Sequence, residues 1–381
     1  MTIPLTSSEQ ARYSRHLMLP EIGVAGQSKL KTSSVLLIGL GGLGSPLAMY
    51  LAAAGIGRLG LVDPDRVDLS NLQRQIIHTT NSEGMLKVDS AAAAIQNLNP
   101  HVEIERFPVR FDISNAEKLT SNYDILIDGT DNFATRYLVN DIAVMRGKPN
   151  IYGSILRFEG QATVLNYKGG PCYRCIFPTP PPNGLIPSCG EAGVMGVLPG
   201  LIGLIQATEA IKVLLGAEDT LHGRLLCVDA WRMKFRELKV RRNPECLVCG
   251  DSPAIASLQI ENYVDSCESS TPSKASSIEN LNVLEFKKMR DSQQPHVLLD
   301  VREEFEYQIC NLGGKLIPLS QLHSHLDELP RNEMIVVHCK AGGRSAKAVK
   351  LLSEQGFQQV FNLEGGILAW IDQVDPSLSK Y

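Results

Sequence analysis

The sequence shows no excess of charge of either sign. Its 381 residues include 37 Lys and Arg against 41 Asp and Glu, which gives a formal net charge of −4 at pH 7. Such a balance supplies no overall electrostatic reason to bind nucleic acid or an anionic membrane. Hydrophobic residues make up 44% of the chain and charged residues 20%, a composition that excludes wholesale disorder. We therefore expect a globular protein that binds neither nucleic acid nor a membrane.

A long uninterrupted hydrophobic run is also missing. The longest stretch without a charge, residues 35–57, has 23 residues, but six of them are glycines and one is a proline. This stretch is long enough for a membrane span, yet its glycines favour a strand, a glycine turn and a helix. The second apolar stretch, residues 194–215, is interrupted by a proline and by polar and charged residues, and residues 1–19 lack the apolar core of a signal peptide. These absences predict a cytoplasmic protein.

The chain has no internal repeat, and its length predicts about two and a half domains at roughly 150 residues each. Short apolar runs alternate with helical patterns between residues 30 and 250, which is typical of βαβ units and a mainly parallel sheet. Strands are predicted at 34–38, 59–62, 101–107, 125–128, 297–301 and 334–338, and helices at 46–54, 87–97 and 346–352. Residues 269–276 are a Ser-rich linker, so we predict one domain over residues 1–268 and a smaller α/β domain over 277–381.

A glycine-rich loop follows the first predicted strand. Gly39, Gly41, Gly42 and Gly44 fit the GxGxxG pattern, in which a Cβ would block the tight turn and the approach of phosphate to backbone amides. The following helix N-terminus adds partial positive charge, and Asp63 at the end of the next strand is placed to accept hydrogen bonds from ribose hydroxyls. These features predict a Rossmann-like domain that binds a nucleotide. The alternative is a glycine turn that only permits tight packing.

The residues beyond Asp63 favour ATP over NAD. Asn71, Arg74, Gln75 and Lys87 supply cations and amides that suit a triphosphate better than a nicotinamide. Another buried strand ends in a segment that contains Asp131 and Asn132, and the Asp131 carboxylate could hold Mg²⁺. No GxxxxGK[ST] motif is present, so the sequence does not indicate ordinary P-loop phosphoryl transfer.

Nine cysteines, an odd number in a long chain, argue for thiol chemistry and metal binding rather than a disulfide framework. Four of them form two CxxC pairs, a pattern that predicts a closed, structural Cys₄ zinc site. These ligands are Cys172, Cys175, Cys246 and Cys249. Cys189 lies in a loop after three successive prolines, where it is either catalytic or a thiol that merely lies near the site. Cys227, Cys267 and Cys310 carry no motif, so we expect apolar packing for them.

A sixth noteworthy cysteine, Cys339, follows a predicted strand and precedes a helix. Its loop continues through Lys340, Gly342, Gly343 and Arg344. Backbone amides in such a turn can point at one sulfur, and together with the arginine they favour the thiolate over the thiol. The loop could therefore carry sulfur, or it could bind phosphate as in a tyrosine phosphatase.

Residues 10–268 resemble the ubiquitin-activating-enzyme-like superfamily, specifically the adenylyltransferases of molybdopterin synthase and thiamine biosynthesis. The matching stretches are 12–16, 39–44, 63–65, 70–75, Lys87, 131–132 and 158–161. The resemblance implies contacts to ATP and Mg²⁺ from Gly42, Asp63, Asn71, Arg74, Gln75, Lys87, Asp131 and Asn132. It also implies a homodimer in which Arg15 reaches the nucleotide of the opposite subunit. This family has the same CxxC pairs, and in some relatives a cysteine at the place of Cys189 is assigned thioester or persulfide exchange.

Residues 277–381 resemble a rhodanese domain. The resemblance rests on the six-residue loop from Cys339 to Arg344 and on the stretches 297–303 and 363–370. Residues 308–315 depart from it, because they lack the histidine that many rhodaneses have before the glycine pair. In this family the cysteine carries a persulfide.

Together the two resemblances predict one reaction sequence. The first domain would adenylate the C-terminal Gly-Gly carboxylate of a small ubiquitin-like sulfur carrier, with Arg74, Lys87 and Asp131 acting on ATP. A Cys339 persulfide, charged by thiosulfate or a cysteine desulfurase, would then attack the acyl-adenylate, and Cys189 would help to release the thiocarboxylate. The molybdopterin synthase small subunit is the expected carrier, although thiamine, cysteine or tRNA-thiolation carriers would use the same residues. An NAD-dependent oxidoreductase and a non-catalytic docking module are the rival hypotheses.

Overall fold

The computed structural model describes residues 4–181, 193–259, 263 and 279–380. These residues belong to two compact units, Met1–Ser269 and Ser270–Tyr381. The predicted linker at 269–276 lies outside the described residues, as do Cys189 and Cys267.

The first unit is built on an eight-stranded sheet. Its strands are β1 (Ser34–Ile38), β2 (Arg58–Val62), β3 (Glu103–Phe107), β4 (Ile125–Asp128), β5 (Asn150–Leu156), β6 (Glu159–Leu165), β7 (Arg224–Asp229) and β8 (Lys234–Lys239). They lie in the order β3-β2-β1-β4-β5-β6-β7-β8. The first five strands of this order are parallel, and β6, β7 and β8 continue the sheet antiparallel.

Helices cover the sheet of the first unit. They are α1 (Ser7–Arg12), α2 (Ser14–Leu17), α3 (Gly23–Thr32), α4 (Gly44–Ala54), α5 (Lys87–Leu98), α6 (Ile113–Thr120), α7 (Phe133–Met145), α8 (Tyr173–Ile176) and α9 (Leu198–Leu215). All five residues of β1 are buried, which is expected of a central parallel strand with helices on both faces. One hydrophobic core contains Leu37 of β1 and Leu47 of α4, and a second contains Leu36 of β1 and Ile142 of α7.

Helix α9 is the one helix among the described residues that is long and apolar enough to cross a membrane. Residues on it pack against α4, β5 and β6, and 56% of the helix is buried inside the protein. Ile202 and Ala210, for example, belong to the hydrophobic core of the unit. A buried core helix satisfies the same length and composition test as a membrane span.

The second unit is a smaller α/β layer structure. Its strands are β9 (Glu279–Leu281), β10 (Val297–Asp300), β11 (Lys315–Leu316), β12 (Ile335–His338) and β13 (Val360–Leu363). Its helices are α10 (Val283–Asp291), α11 (Glu304–Ile309), α12 (Gly343–Glu354) and α13 (Gly366–Gln373). The strands form a parallel sheet in the order β11-β10-β12-β13-β9, and separate hydrophobic clusters cover its two faces.

The predicted fold class, a mainly parallel α/β domain followed by a smaller α/β domain, is confirmed by these two sheets. The predicted strands at 34–38 and 125–128 match β1 and β4 residue for residue, and the predicted helix at 87–97 differs from α5 by one residue. The helix predicted over 346–352 is longer in the structure, because α12 already begins at Gly343, within the Cys339 loop.

Candidate functional site

The glycine loop lies at the carboxyl edge of the first sheet, where the strand order changes direction. Strand β1 pairs in parallel with β2 on one side and with β4 on the other, so that Ile38 lies opposite Val62 and Asp128. The segments that follow these three strands therefore meet at one edge. A crevice at such a switch point is where open α/β sheets bind ligands.

Close packing accounts for three of the four glycines. A Cβ on Gly39 would lie 2.7 Å from the carbonyl oxygen of Gly129, and its φ of +95° suits glycine. A Cβ on Gly44 would lie 2.0 Å from the carbonyl oxygen of Gly39. A Cβ on Gly41 would meet only the Gln75 amide at 3.8 Å, so the loop stays open at that point. A Cβ on Gly42 would lie 2.9 Å from Cβ of Pro199, so packing explains Gly39, Gly42 and Gly44, and it leaves Gly41 for ligand approach.

Asp63 connects the glycine loop to the strand beside it. One carboxylate oxygen accepts the Leu40 N–H at 2.8 Å, and the other accepts the Asp65 N–H at 2.9 Å. The side chain is buried, and burial raises the pKa of Asp63, while nearby Lys87 and the two N–H groups oppose this shift. Asp63 therefore fixes the loop and still has lone pairs for a hydroxyl donor.

Gln75 and Arg74 lie beside the glycine loop. Gln75 is buried, and its Oε1 has no hydrogen-bond partner among the described residues. Arg74 is half-buried, with its Cγ 3.6 Å from the position of a Cβ on Gly42, and its Nη1 donates to the Ser70 carbonyl at 3.1 Å. Asn71 lies in the 3₁₀ helix Leu69–Asn71 just before them. A buried, unpartnered amide oxygen at this edge is the kind of group that a ligand donor would satisfy.

Lys87 brings a buried cation to the same edge. It begins α5, its side chain is about 7% exposed, and its Nζ lies 3.0 Å from Oδ2 of Asp65, a carboxylate that is 64% exposed. The nearby positive charge of Lys87 also lowers the pKa of Asp63, against the effect of burial. The structure thus brings together Gly42, Asp63, Arg74, Gln75 and Lys87, which the sequence placed up to 45 residues apart.

The loop after β4 carries the remaining predicted residues. Asp131 and Asn132 are exposed, and the Asn132 side chain caps α7 by accepting the Thr135 N–H at 2.9 Å. The buried Asp128 is used within the protein, since Oδ1 accepts from the Thr130 N–H and hydroxyl. Asp131 is consequently the carboxylate of this loop that faces outward and is available to a cation.

Arg15 lies on α2, where its side chain is exposed. Its predicted contact is with the nucleotide of a second subunit. Because the structure contains a single chain, this contact stays a prediction. The exposed position is compatible with a contact across a subunit boundary.

The four CxxC cysteines form one cluster. Their sulfur atoms all lie within 4.8 Å of one another, with Cys172–Cys246 at 3.5 Å and Cys175–Cys249 at 3.3 Å. Four thiolates at about 2.3 Å from a tetrahedral zinc ion would lie roughly 3.8 Å apart, so the cluster fits such an ion. Hydrogen bonding with the neighbouring sulfurs of Cys172 and Cys249 lowers the pKa of Cys175. The Cys cluster could therefore bind a metal.

Cys189 lies outside the described residues, but the chain that leads toward it is anchored. The Tyr137 hydroxyl on α7 donates to the carbonyl oxygens of Phe177 at 3.0 Å and Thr179 at 2.7 Å. Helix α7 therefore supports both the first CxxC pair and the start of the segment that leads toward Cys189.

Cys339 follows β12 in the second unit and is buried, with an exposed fraction of 1%. Its sulfur accepts the Gly342 N–H at 3.1 Å and the Ser345 hydroxyl at 3.3 Å. Gly342 has a φ of +96°, which turns the chain so that α12 begins at Gly343. Of the successive backbone amides that the sequence predicts to point at this sulfur, the contacts above include one, and the Ser345 hydroxyl is a second donor that was not predicted.

The far end of the Cys339 loop is fixed by an ion pair. Arg344 donates from Nη1 and Nη2 to the two carboxylate oxygens of Glu306 at 2.6 and 2.7 Å. Glu306 is almost fully buried at the start of α11. Lys340 is half-buried, and its carbonyl accepts the Leu368 N–H at 3.1 Å.

Sequence reasoning missed several supporting residues. His78 holds the glycine loop by placing Nε2 3.3 Å from the Leu40 carbonyl and Nδ1 2.9 Å from the Ser90 hydroxyl, and burial lowers the pKa of His78. Glu306 and Ser345 were missed in the second unit. Ser345 follows Arg344 directly in sequence and could have been noticed, whereas nothing local in the sequence connects Glu306 with a loop 38 residues away.

Comparison with known proteins agrees with this arrangement. The ThiF family model matches residues 13–248, and the rhodanese-like domain model matches residues 282–373. The adenylyltransferase and sulfurtransferase MOCS3 of Sus scrofa is 44% identical over 405 residues, covering 99% of this chain and 89% of that protein. The probable adenylyltransferase/sulfurtransferase MoeZ of Mycobacterium tuberculosis is 42% identical over 384 residues, covering 99% of this chain and 96% of that protein.

A solved structure shows the same fold for about two thirds of the chain. The crystal structure of E. coli MccB with ATP covers 63% of this chain and 74% of its own, with a TM-score of 0.56 and 22% identity. The family match covers more than half of the chain, and the relatives above match nearly all of it. The chain therefore belongs to the ThiF family, carries a C-terminal rhodanese-like domain, and is an adenylyltransferase and sulfurtransferase.

Proposed function

We propose that the protein converts the C-terminal carboxylate of a small ubiquitin-like sulfur carrier ending in Gly-Gly into a thiocarboxylate. Membership of the ThiF family implies use of ATP. The observation that carries the proposal is that one chain holds two different reactive sites. The carboxyl edge of the first sheet has the groups of a nucleotide site, among them Asp63 and Lys87, and the second unit has a thiol, Cys339, whose sulfur accepts two hydrogen bonds. An activated carboxylate and a nucleophilic sulfur are the two reactants that thiocarboxylate formation requires.

Adenylation would take place at the carboxyl edge of the first sheet. A carrier carboxylate oxygen attacks the α-phosphorus of ATP, and pyrophosphate leaves with the electron pair of the broken P–O bond. Because two anions approach each other, cations are needed at this edge, and we assign this role to Arg74 and Lys87. Gly42, Asn71, Gln75 and Asn132 would position the nucleotide, and Asp63 would accept from its ribose hydroxyls.

Two metal ions fit the donor groups of the first unit. Asp131 is an exposed carboxylate beside a loop whose other carboxylate, Asp128, is occupied internally, so Asp131 would hold Mg²⁺ with the phosphates. Mg²⁺ would neutralise charge on the phosphates. The sulfur spacing of Cys172, Cys175, Cys246 and Cys249 fits Zn²⁺, which would join two segments about 70 residues apart.

Sulfur transfer would use the second unit. The Cys339 thiolate attacks the sulfane sulfur of the donor and becomes a persulfide, while the broken S–S bond releases sulfite from thiosulfate or the cysteine thiolate of a desulfurase persulfide. The terminal sulfur of the Cys339 persulfide then attacks the acyl carbon and expels AMP. A second thiolate then attacks the Cys339 sulfur and releases the carrier thiocarboxylate, leaving a disulfide that a cellular dithiol reduces back to two thiols. We assign the second thiolate to Cys189 as a proposal on sequence grounds. Lys340, Gly342, Gly343 and Arg344 would form the loop around the persulfide.

We further propose that the enzyme is a cytoplasmic homodimer in which Arg15 of one subunit completes the nucleotide site of the other. Mixing Arg15→Ala subunits with Asp131→Ala subunits tests this arrangement. A shared site predicts that the mixture regains activity which neither variant has alone, since one site of each mixed dimer combines the intact Asp131 of one chain with the intact Arg15 of the other. Sites formed within one chain would show no recovery.

ATP–pyrophosphate exchange and intact carrier mass test the whole proposal. The protein would be incubated with ATP, Mg²⁺, thiosulfate and a panel of Gly-Gly-ending carriers from molybdopterin, thiamine, cysteine and tRNA-thiolation systems. We expect exchange with one carrier, the molybdopterin synthase small subunit first, and a carrier mass increase matching replacement of one oxygen by sulfur. Absence of exchange with every carrier would overturn the proposal and leave the oxidoreductase or docking hypotheses.

A further inference from the structure

Arg136 of α7 lies within a group of aromatic rings. Its guanidinium carbon lies 5.4 Å from the ring centre of Phe133, 5.3 Å from that of Tyr152 and 6.0 Å from that of Tyr173. The side chain is 9% exposed. A cation that has lost most of its water gains from ring faces at such distances. Arg136 is therefore held from three sides.

The same guanidinium contacts the loop that carries Asp131. Nε lies 3.4 Å from Oδ2 of Asp128, and Nη2 donates to the Thr130 carbonyl at 3.2 Å. Asp128 in turn accepts from the Thr130 N–H and hydroxyl. Arg136 thus holds the backbone immediately before Asp131, the residue assigned above to Mg²⁺.

One of the three rings, that of Tyr173, lies within the first CxxC pair of the Cys cluster. Tyr173 stands between Cys172 and Cys175 in the sequence, and its ring packs against Tyr137 and Tyr152 at 5.0 and 5.2 Å between centres. Its N–H donates to the Asn140 side chain at 2.6 Å. Because Tyr173 lies between the two cysteines, the position of its ring depends on the position of the first CxxC pair.

The neighbouring residue fastens that CxxC pair to the same helix. Arg174 donates from Nε to both carboxylate oxygens of Asp141 at 2.9 and 3.1 Å, and both side chains are buried. The Tyr263 hydroxyl donates to the same carboxylate at 2.9 Å. A continuous set of contacts therefore runs from the cysteines through Tyr173 and Arg136 to Asp128.

From these contacts we propose that Arg136 is a positioning residue for the Asp128–Asn132 loop, and that Tyr173 couples this loop to the Cys cluster. Order in the Cys cluster fixes the Tyr173 ring, the ring helps to fix Arg136, and Arg136 fixes the backbone that presents Asp131 to MgATP. The cluster would thereby support nucleotide binding as well as folding. This inference rests on the proposed function, because it concerns the assigned nucleotide site.

The test compares Tyr173→Leu with Phe177→Leu. Phe177 is a matched control because its ring also packs on Tyr173, at 5.0 Å between centres, whereas the rings that contact Arg136 within the described residues are those of Phe133, Tyr152 and Tyr173. The readouts are the dissociation constant of ATP with Mg²⁺ by calorimetry and the rate at which a zinc-selective chelator removes zinc from the full chain. Thermal unfolding midpoints separate general loosening from a change at the nucleotide site.

We expect Tyr173→Leu to weaken MgATP binding about tenfold while zinc stays bound, and Phe177→Leu to change binding less than about twofold. Tyr173→Phe keeps the ring face but loses the hydrogen bond between the Tyr173 hydroxyl and Arg136, so its binding should lie between that of Tyr173→Leu and that of the wild type. Zinc removal should weaken binding in the wild type and have little additional effect in Tyr173→Leu, because both act through the same ring.

Three results would overturn the inference: unchanged MgATP binding in Tyr173→Leu, an equal loss in Phe177→Leu, or fully additive effects of zinc removal and Tyr173→Leu. If Tyr173→Leu is too unstable to purify, Arg136→Lys gives the same decision, since it keeps the charge and loses the paired contacts to Asp128 and Thr130. Wild-type protein that binds no MgATP would instead overturn the proposed function.

Discussion

The guanidinium of Arg344 and the carboxylate of Glu306 face each other so that two nitrogens meet two oxygens at 2.6 and 2.7 Å. The same carboxylate accepts the Glu303 N–H at 3.0 Å, and the Glu306 carbonyl accepts from Arg302. The start of α11 is therefore tied to the end of the Cys339 loop. Two-pronged pairs of this kind fix orientation as well as distance. An arginine held in this way stabilises the shape of the Cys339 loop, which suits a loop that carries sulfur better than one that binds phosphate through its arginine.

Glu306→Gln should lower sulfur transfer by about tenfold and also destabilise the second unit, because Glu306 is the buried member of an ion pair. The amide keeps one acceptor for Arg344 but loses the charge and the second acceptor, so the loop around Cys339 is held less firmly. The thiosulfate–cyanide sulfurtransferase assay measures this effect. Glu304→Gln is the matched control, because Glu304 is exposed on the same helix and contacts only Gln308 among the described residues. Equal rates for the two variants would contradict the role of the ion pair.

Cys339→Ser should abolish sulfur transfer and leave carrier-dependent ATP–pyrophosphate exchange unchanged. Serine keeps the size of the side chain, but a hydroxyl cannot carry a sulfane sulfur. Exchange with labelled pyrophosphate and the intact mass of the carrier are measured on the same samples. Cys310→Ser serves as a control, since Cys310 is buried in the same unit but packs among apolar side chains. Thiocarboxylate formation at the wild-type rate in Cys339→Ser would remove the second unit from the reaction.

The sequence was sufficient to predict the parallel sheet and the edge at which the candidate site lies. Strands such as β1 and β4 are almost entirely apolar, a pattern typical of buried parallel strands, and Gly39 begins a recognisable glycine motif directly after β1. The four cysteines were recognisable because each pair is a spacing motif. Their convergence into one cluster follows from the chemistry of a shared metal site.

Residues that act through long-range contacts could not be predicted in this way. Arg136 and Glu306 appear in the sequence as ordinary charged residues on amphipathic helices, and only the fold places them beside Thr130 and Arg344. Such charges are usually solvated, so sequence reasoning had no ground to single them out. Burial of both side chains is a property of the folded protein.

Lys87→Met should lower ATP–pyrophosphate exchange about 100-fold or more, because a preorganised cation at the nucleotide edge is lost. Its partner Asp65 is 64% exposed and stays solvated after the change, so folding should be preserved. Exchange rates at saturating ATP and carrier give the measurement. Lys118→Met removes an exposed lysine of α6 in the same unit and should leave exchange unchanged. A loss in both variants would point to net charge rather than to this site.

His338 should make the second unit less stable in acid. Its ring is fully buried next to Cys339, with Nε2 3.5 Å from Oδ2 of Asp300, and burial lowers the pKa of His338 to about 4. Nearby Arg302 lowers it as well, while Asp300 opposes the shift. Near pH 7.5 the ring is neutral in both the folded and the unfolded protein. Below about pH 6.5 the imidazole is protonated in the unfolded chain but stays neutral in the folded protein. The free energy of unfolding therefore falls with pH until the pKa of the folded protein is reached.

The expected loss between pH 7.5 and pH 4 from this group is about 3 kcal/mol in the free energy of unfolding. Urea unfolding of the full chain in a Trp231→Phe background measures it, because Trp370 is then the only tryptophan and belongs to the core of the second unit. Carboxyl groups also titrate in this range, so the comparison is with His338→Gln, whose deficit relative to the parent should shrink by about that amount in acid. His323→Gln, at an exposed position, is the matched control. A His338→Gln deficit independent of pH would show that the folded protein accepts a proton on this ring as readily as the unfolded chain does.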